Sequence, residues 1–244
     1  MIEPDSIEPF DYEQYKEYLR RRGIALPSCV EQSIGAYFSL LFQENQKINL
    51  TGYKTVADYV DFHLLDAVKM LEILDPFDRA AITDVGSGSG VPGILWKLLK
   101  NDLTVQLIES SEKKARFLHG AVKSLHLKSC SVVNRRAEEA AHEDRYREKS
   151  DFAVARALSS FSMALELTCG FVRKGGIIAL PRGAEEKIYS DLPCIQILGS
   201  RLIKSEKYDL PERNRPFQMI LLEKVENLPP KYPRKPGQMQ KRPL

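Results

Sequence analysis

The sequence predicts an α/β protein: a seven-stranded, mostly parallel sheet with helices on both faces, preceded by a helical extension. Three observations carry that expectation. From Ala80 onward, short β-rich runs alternate with helical runs, the pattern of parallel strands joined by crossover helices. The run Ala81–Val85 leads into a turn with glycines at 86, 88 and 90, which reads as a buried strand feeding a helix N-terminus. After Pro193 the helices stop and two β-rich runs follow in succession, as a hairpin closing the sheet would.

Residues 1–75 read as helical. Tyr12, Tyr15, Tyr18 and Leu19 recur at helical spacing in a polar background. Ser28-Cys29-Val30-Glu31 has the capping-box form, so a helix is expected to start there, with Val30, Ile34, Tyr37, Phe38, Leu41 and Phe42 on its apolar face. Asn49-Leu50-Thr51-Gly52 breaks the pattern, and a third helical stretch covers 56–74. Residues 76–228 hold the sheet, with strands expected at 80–85, 104–108, 130–134, 151–155, 176–181, 196–207 and 216–225. Helices are expected near 92–100, 111–126, 159–173 and 184–190, and the polar segment 208–214 joins the last two strands. Residues 229–244 form a basic, Pro-rich tail.

Composition limits the function classes. A hydrophobic fraction of 43% and a charged fraction of 28% over 244 residues are those of a soluble globular protein. No apolar stretch approaches the roughly 20 residues needed to span a bilayer. Met1–Asp5 is acidic and lacks a signal-peptide layout, so a cytoplasmic location and no membrane partner are expected. The four cysteines are far apart without a C-x-x-C pair and read as buried free thiols, and the histidines show no ligand spacing; no metal is expected. The net charge is only +3, but Lys231, Arg234, Lys235, Lys241 and Arg242 crowd the tail without an acidic residue. Its prolines are expected to keep it extended, either along a phosphate backbone or solvated.

A cofactor site is expected where several turns converge at strand C-termini. Gly88-x-Gly90-x-x-Gly93 satisfies the dinucleotide pattern, which is weak alone. Three details favour S-adenosylmethionine over a nicotinamide. Asp84 precedes the first glycine by two residues and can face a methionyl ammonium. A methionyl group, unlike a pyrophosphate, needs only a small passage. The terminal hairpin suits the seven-stranded sheet of a Rossmann-like class I methyltransferase. Asp84 can equally cap the following turn through backbone N–H groups. Glu109, after the second strand, is placed to accept from both ribose hydroxyls. Ala137-Glu138, after the third, marks an adenine position, and Arg156 opens the turn after the fourth.

These residues resemble the RsmG/GidB methyltransferases, which methylate N7 of a guanine in bacterial 16S ribosomal RNA. The likeness runs through Asn49-Leu50-Thr51, His63-Leu64-Leu65-Asp66, the motif from Asp84 to Gly93, Glu109–Lys114, Arg136-Ala137-Glu138, Ala155-Arg156-Ala157 and the tail from Lys231 to Gly237. It implies S-adenosylmethionine contacts from Gly86, Val91, Ala137, Glu138 and Arg156, with Glu109 at the ribose. Two positions depart from the family pattern: Ala67 where a serine is usual, and Pro181-Arg182-Gly183 where Lys-Gly is usual.

Guanine N7 carries a lone pair and no proton, so direct in-line displacement needs no general base, and no catalytic residue is expected beyond those that position the reactants. An unstacked target base is expected. Candidate RNA contacts are Arg135, Arg136, Arg156, Arg182, Lys231, Arg234 and Lys235; Arg135 and Arg136 read equally as a solvated turn. His63 and Asp66 share a helical face, either at the RNA and cofactor mouth or, in the favoured reading, tying the helices to the sheet. The expected partner of a monomeric enzyme is 16S rRNA, the small ribosomal subunit or its precursor. The alternatives are a methyltransferase of the same fold acting on another RNA, a protein or a small molecule, a non-catalytic RNA-binding module, and a nicotinamide-dependent oxidoreductase.

Overall fold

The computed structural model describes residues 10–210 and 216–244. The reading of Met1–Asp5 and the end of the 208–214 connection lie outside the described residues.

Seven strands form one sheet in the order β3-β2-β1-β4-β5-β7-β6. They are β1 (Ala81–Val85), β2 (Thr104–Glu109), β3 (Cys130–Asn134), β4 (Ser150–Val154), β5 (Val172–Gly183), β6 (Ser200–Tyr208) and β7 (Phe217–Lys224). β1 to β5 pair in parallel, whereas β7 is antiparallel to both β5 and β6. The strand order reverses beside β1, which opens a crevice at the carboxyl ends of β1 and β4.

Helices α1 (Tyr12–Arg21), α2 (Ser28–Asn45), α3 (Val56–Tyr59) and α4 (Leu65–Leu74) form the N-terminal layer. With α5 (Gly93–Leu99) and α6 (Glu112–Ser124) they cover one face of the sheet. Tyr37, Phe38, Leu41 and Met70 share one buried cluster with Trp96, Val105 and Leu107, so the N-terminal helices complete the sheet's core. The opposite face is covered by α7 (Ala137–Ala140), α8 (Phe161–Cys169), α9 (Pro193–Ile197) and α10 (Pro236–Lys241).

Several expectations change for local reasons. The capping box read at Ser28 does not form: Pro27 takes the cap position, Ser28 is already helical, and no side-chain cap bond is made. A capping box forms instead at Thr55 and Asp58, each donating its backbone N–H to the other's side chain at 3.1 Å. The stretch 56–74 is helical throughout but contains a π-helical turn, Val60–Leu64. No helix spans 184–190. β5 runs on to Gly183, opposite Phe217 of β7, and the chain then turns. Pro193 starts α9 at its first turn, so the strand expected from 196 begins only at Ser200, after Gly199 in the left-handed region. Of the cysteines, Cys169 and Cys194 are buried thiols as expected, but Cys29 is exposed.

The tail is not an extended arm. Arg147 donates to the carbonyls of Leu228 and Tyr232 at 2.7 and 3.0 Å, and Tyr232 and Met239 are buried. Arg234 forks onto Glu166, with Nη2 to Oε2 at 2.7 Å and Nε to Oε1 at 2.9 Å. Glu166 is 1% exposed, and a carboxylate that deep requires such a partner.

Candidate active site

The crevice opens into a cavity of about 550 Å³. One wall is the turn after β1: Gly86, Ser87, Gly88, Ser89 and Val91. Gly86 N–H and Ser87 N–H both donate to Ile108 O, at 2.9 and 3.0 Å, and Ser87 Oγ donates to Asp84 O at 2.9 Å. Gly86 and Gly90 have φ of 74° and 94°, a region where a Cβ is strained. At Gly90 a Cβ would also stand 2.6 Å from Ile94 Cδ1, so this glycine serves packing. At Gly88 the nearest atom to a Cβ is Gly86 O at 3.8 Å, which leaves the cavity side of the turn open for a ligand.

Glu109, 7% exposed at the end of β2, receives Gly88 N–H at 2.9 Å and Ser111 N–H at 2.7 Å. Each carboxylate oxygen keeps a second acceptor position beside the glycine turn. Asp84 does not line the cavity. It lies 1% exposed under the turn, where Oδ2 accepts Gly93 N–H at 3.0 Å. Of its two sequence readings, the cap is the one formed. Burial pushes its pKa up to about 7, against the lowering effects of the Gly93 bond and Arg156.

The N-terminal helices reach this turn directly. Tyr37, buried in α2, donates its hydroxyl to Ser89 O at 2.6 Å, and burial holds its pKa well above the usual phenol value. The sequence showed Tyr37 only as an apolar-face residue.

Arg156 lines the cavity but is also bound within it. Its Nε pairs with Asp66 Oδ2 at 2.8 Å, its Nη2 donates to Phe62 O at 2.8 Å, and Tyr208 OH donates to Asp66 Oδ1 at 2.9 Å. Asp66 thus ties α4 to the loop after β4 and to the end of β6, the structural role favoured for it. His63 lines the same cavity from the π-helical turn, a device that recurs at functional sites. In the loop after β4, Ala157 and Ser159 both sit at positive φ, 54° and 53°. Such backbone costs on the order of 1 kcal/mol per residue and persists where surrounding contacts enforce it. Arg182 supplies such contacts, donating to Ser159 O at 3.0 Å and Ser160 O at 3.3 Å.

The far wall comes from Pro181, Arg182, Gly183, Glu186, Tyr208 and Phe217. Arg182 is 8% exposed, and burial lowers its pKa. It faces the cavity instead of an outer phosphate-binding surface, which corrects its expected placement. Tyr208 and Phe217 stack with ring centroids 5.8 Å apart. Neither Glu186 nor this aromatic pair carries a local sequence signal: the turn after β5 brings the first to the cavity, and the pairing of β6 with β7 brings the rings together.

The structure therefore brings Gly86, Val91 and Arg156 together on one cavity, with Glu109 against its glycine wall. Ala137 and Glu138 lie beyond, at the end of β3, where Glu138 is buried and paired with Arg136. Arg135 pairs with Glu143 at 2.9 Å. In the tail, Lys231 and Lys235 are exposed, whereas Arg234 is committed to Glu166. Among the described residues, no group of three or more His, Cys, Asp or Glu could hold a metal ion, and no helix is long and apolar enough to cross a membrane.

A seven-stranded sheet with one antiparallel strand, a glycine turn after β1 and a carboxylate after β2 define the class: a Rossmann-like methyltransferase of the S-adenosylmethionine-dependent kind. Solved structures share the fold. One is described as a SAM dependent methyltransferase from Aquifex aeolicus (TM-score 0.51, 17% identity, covering 68% of this chain and 93% of that one). Another is a precorrin-6y C5,15-methyltransferase from Geobacter metallireducens (TM-score 0.51, 14% identity, 73% and 92% coverage). Residues 30–192 match the family model GidB, rRNA small subunit methyltransferase G, and the chain belongs to that family. Relatives named ribosomal RNA small subunit methyltransferase G include one from Acetivibrio thermocellus, 36% identical and covering 86% of each chain. Another, from Clostridium botulinum, is 33% identical over 86% of this chain and 88% of its own. One from Alkaliphilus metalliredigens is 32% identical over 94% and 97%.

Proposed function

We propose that this protein methylates N7 of a guanine in 16S rRNA, in the small ribosomal subunit or its precursor, using S-adenosylmethionine. The observation that carries the reading is the match to relatives named for small-subunit rRNA methylation across 86% of the chain, through every element that lines the cavity up to β5. The residues present fit the cofactor: an open glycine turn at Gly88, a carboxylate with free acceptor positions at Glu109, and a cavity joining them to a polar and aromatic wall.

When bound, S-adenosylmethionine supplies an electrophilic methyl group on a sulfonium sulfur. Gly86 and Val91 hold its methionine end, Glu109 accepts from the ribose hydroxyls, and Ala137 and Glu138 border the adenine. Arg156 closes the methionine side, held in one orientation by Asp66 and Phe62 O. The target base enters from the β5–β7 side. Its N7 lone pair needs no activation, so no side chain has to take a proton, and the work of the chain is alignment and exclusion of water. Arg136, Lys231 and Lys235 are proposed as phosphate contacts outside the cavity. Arg234 contributes by docking the tail that carries Lys231 and Lys235. A monomer in the cytoplasm is the proposed working form.

Mapping N7-methylguanine in 16S rRNA from cells with and without this gene tests the reading. A site lost with the gene and restored by the wild-type protein is expected. An unchanged methylation map refutes it.

A further inference from the structure

Two carboxylates line the cavity, and they differ in what they already hold. Asp66 has both oxygens engaged, by Arg156 and by Tyr208. Glu186 stands in the turn after β5 with its side chain 40% exposed. Among the described residues its carboxylate accepts no hydrogen bond and has one long ion pair, Arg182 Nε to Oε2 at 4.0 Å. The backbone beneath it is fixed: Glu186 N–H donates to Gly183 O at 3.1 Å, and Gln218 Nε2 donates to Glu186 O. Arg182 Nε is buried with no hydrogen-bond partner, and the rest of the guanidinium is anchored on the Ser159 and Ser160 carbonyls. A fixed, buried cation beside this carboxylate limits its orientations.

Resting on the proposed function, we infer that Glu186 reads the target base, accepting hydrogen bonds from guanine N1–H and the exocyclic N2 amine, while Pro181, Tyr208 and Phe217 provide the surface for the flat ring. Guanine places these two donors on the edge away from N7, so a carboxylate across the cavity from the glycine turn leaves N7 facing the methyl group. Adenine presents a lone pair at N1, which a carboxylate repels. The chemistry adds a second effect. As the N7–carbon bond forms and the carbon–sulfur bond breaks, the electron pair leaves with sulfur and the purine becomes cationic with no proton released. Attraction to Glu186 then grows towards the transition state, which is the differential binding that raises kcat. Arg182 is the positioning residue for Glu186.

The test uses small-subunit particles from cells lacking this enzyme, and particles reconstituted on rRNA with inosine, which lacks the N2 amine, at the target position. Glu186→Gln is expected to lower kcat/KM on guanine particles by roughly 10- to 100-fold, the range for a hydrogen bond to a charged group. S-adenosylhomocysteine affinity and Tm should stay at wild-type values, and Glu186→Asp should recover part of the rate. The wild type should lose rate on inosine particles, and Glu186→Gln should show little further loss. Wild-type rates for Glu186→Gln, a parallel loss of S-adenosylhomocysteine affinity, or equal inosine penalties in both proteins would overturn the role of Glu186. Absence of methyl transfer by the wild type would instead overturn the function on which it rests.

Discussion

Asp66→Asn isolates the charge that joins the helical layer to the cavity. The asparagine carbonyl still accepts from Tyr208 OH, so the hydroxyl bond at 2.9 Å survives, while the pair with Arg156 Nε at 2.8 Å is lost. A donating amide then faces a guanidinium that keeps only Phe62 O. Breaking a buried pair costs about 3–5 kcal/mol because the remaining charge is stranded. Arg156 is 19% exposed on its side chain and Asp66 8%, so partial hydration lowers the expectation to roughly 2–3 kcal/mol. That is a large part of the ~5–15 kcal/mol by which domains are stable. Urea denaturation of Asp66→Asn, Arg156→Met and the double variant measures the pair directly. A coupling energy of about 2 kcal/mol is expected, with the double variant more stable than additivity predicts. Coupling below about 0.5 kcal/mol, the level of ordinary non-additivity error, would show that the bridge is incidental and that Arg156 is free for the cofactor.

Three further perturbations test other parts of the argument. Asp84 has a folded pKa near 7, above its unfolded value, so the native state holds the extra proton and loses stability as pH rises from about 4 through 7. Asp84→Asn, which can still accept Gly93 N–H, should therefore gain stability relative to wild type with rising pH, by at most roughly 4 kcal/mol, and flatten the pH profile of Tm over that window. Tyr37→Phe removes the only hydroxyl that α2 sends to Ser89 O and should cost about 1 kcal/mol, with weaker S-adenosylhomocysteine binding by calorimetry; unchanged binding would show that the turn holds its shape alone. Glu166→Ala strands Arg234 and should release the tail, seen as faster proteolytic trimming within 229–244 and a stability loss of about 3 kcal/mol; wild-type trimming would contradict the docked tail.

Sequence and structure divide this protein along a physical line. The alternation of β-rich and helical runs, the glycine turn after β1 and the acidic end of β2 were legible because each depends on local backbone demands: period, positive φ, and an acceptor at a strand end. From them alone the sequence predicted the sheet, its closing hairpin and a cofactor site at the strand C-termini beside the glycine turn and Glu109, whereas Val91 and Arg156 as cofactor contacts were what the family resemblance implied. The tertiary structure decided which neighbours those residues keep. Asp84 became a cap and Arg156 an ion-pair partner because burial demands that each charge be met, and the nearest group that meets it can lie anywhere in the chain: Asp66 is 90 residues before Arg156, and Tyr208 is 142 after Asp66. The docking of Arg234 on Glu166 has the same origin, whereas Glu186, Tyr208 and Phe217 share a cavity wall because of where β5 ends and how β7 pairs. Prolines and basic residues specify a tail without specifying its partner. The β5–β7 register, which no local pattern encodes, sets the far wall of the cavity.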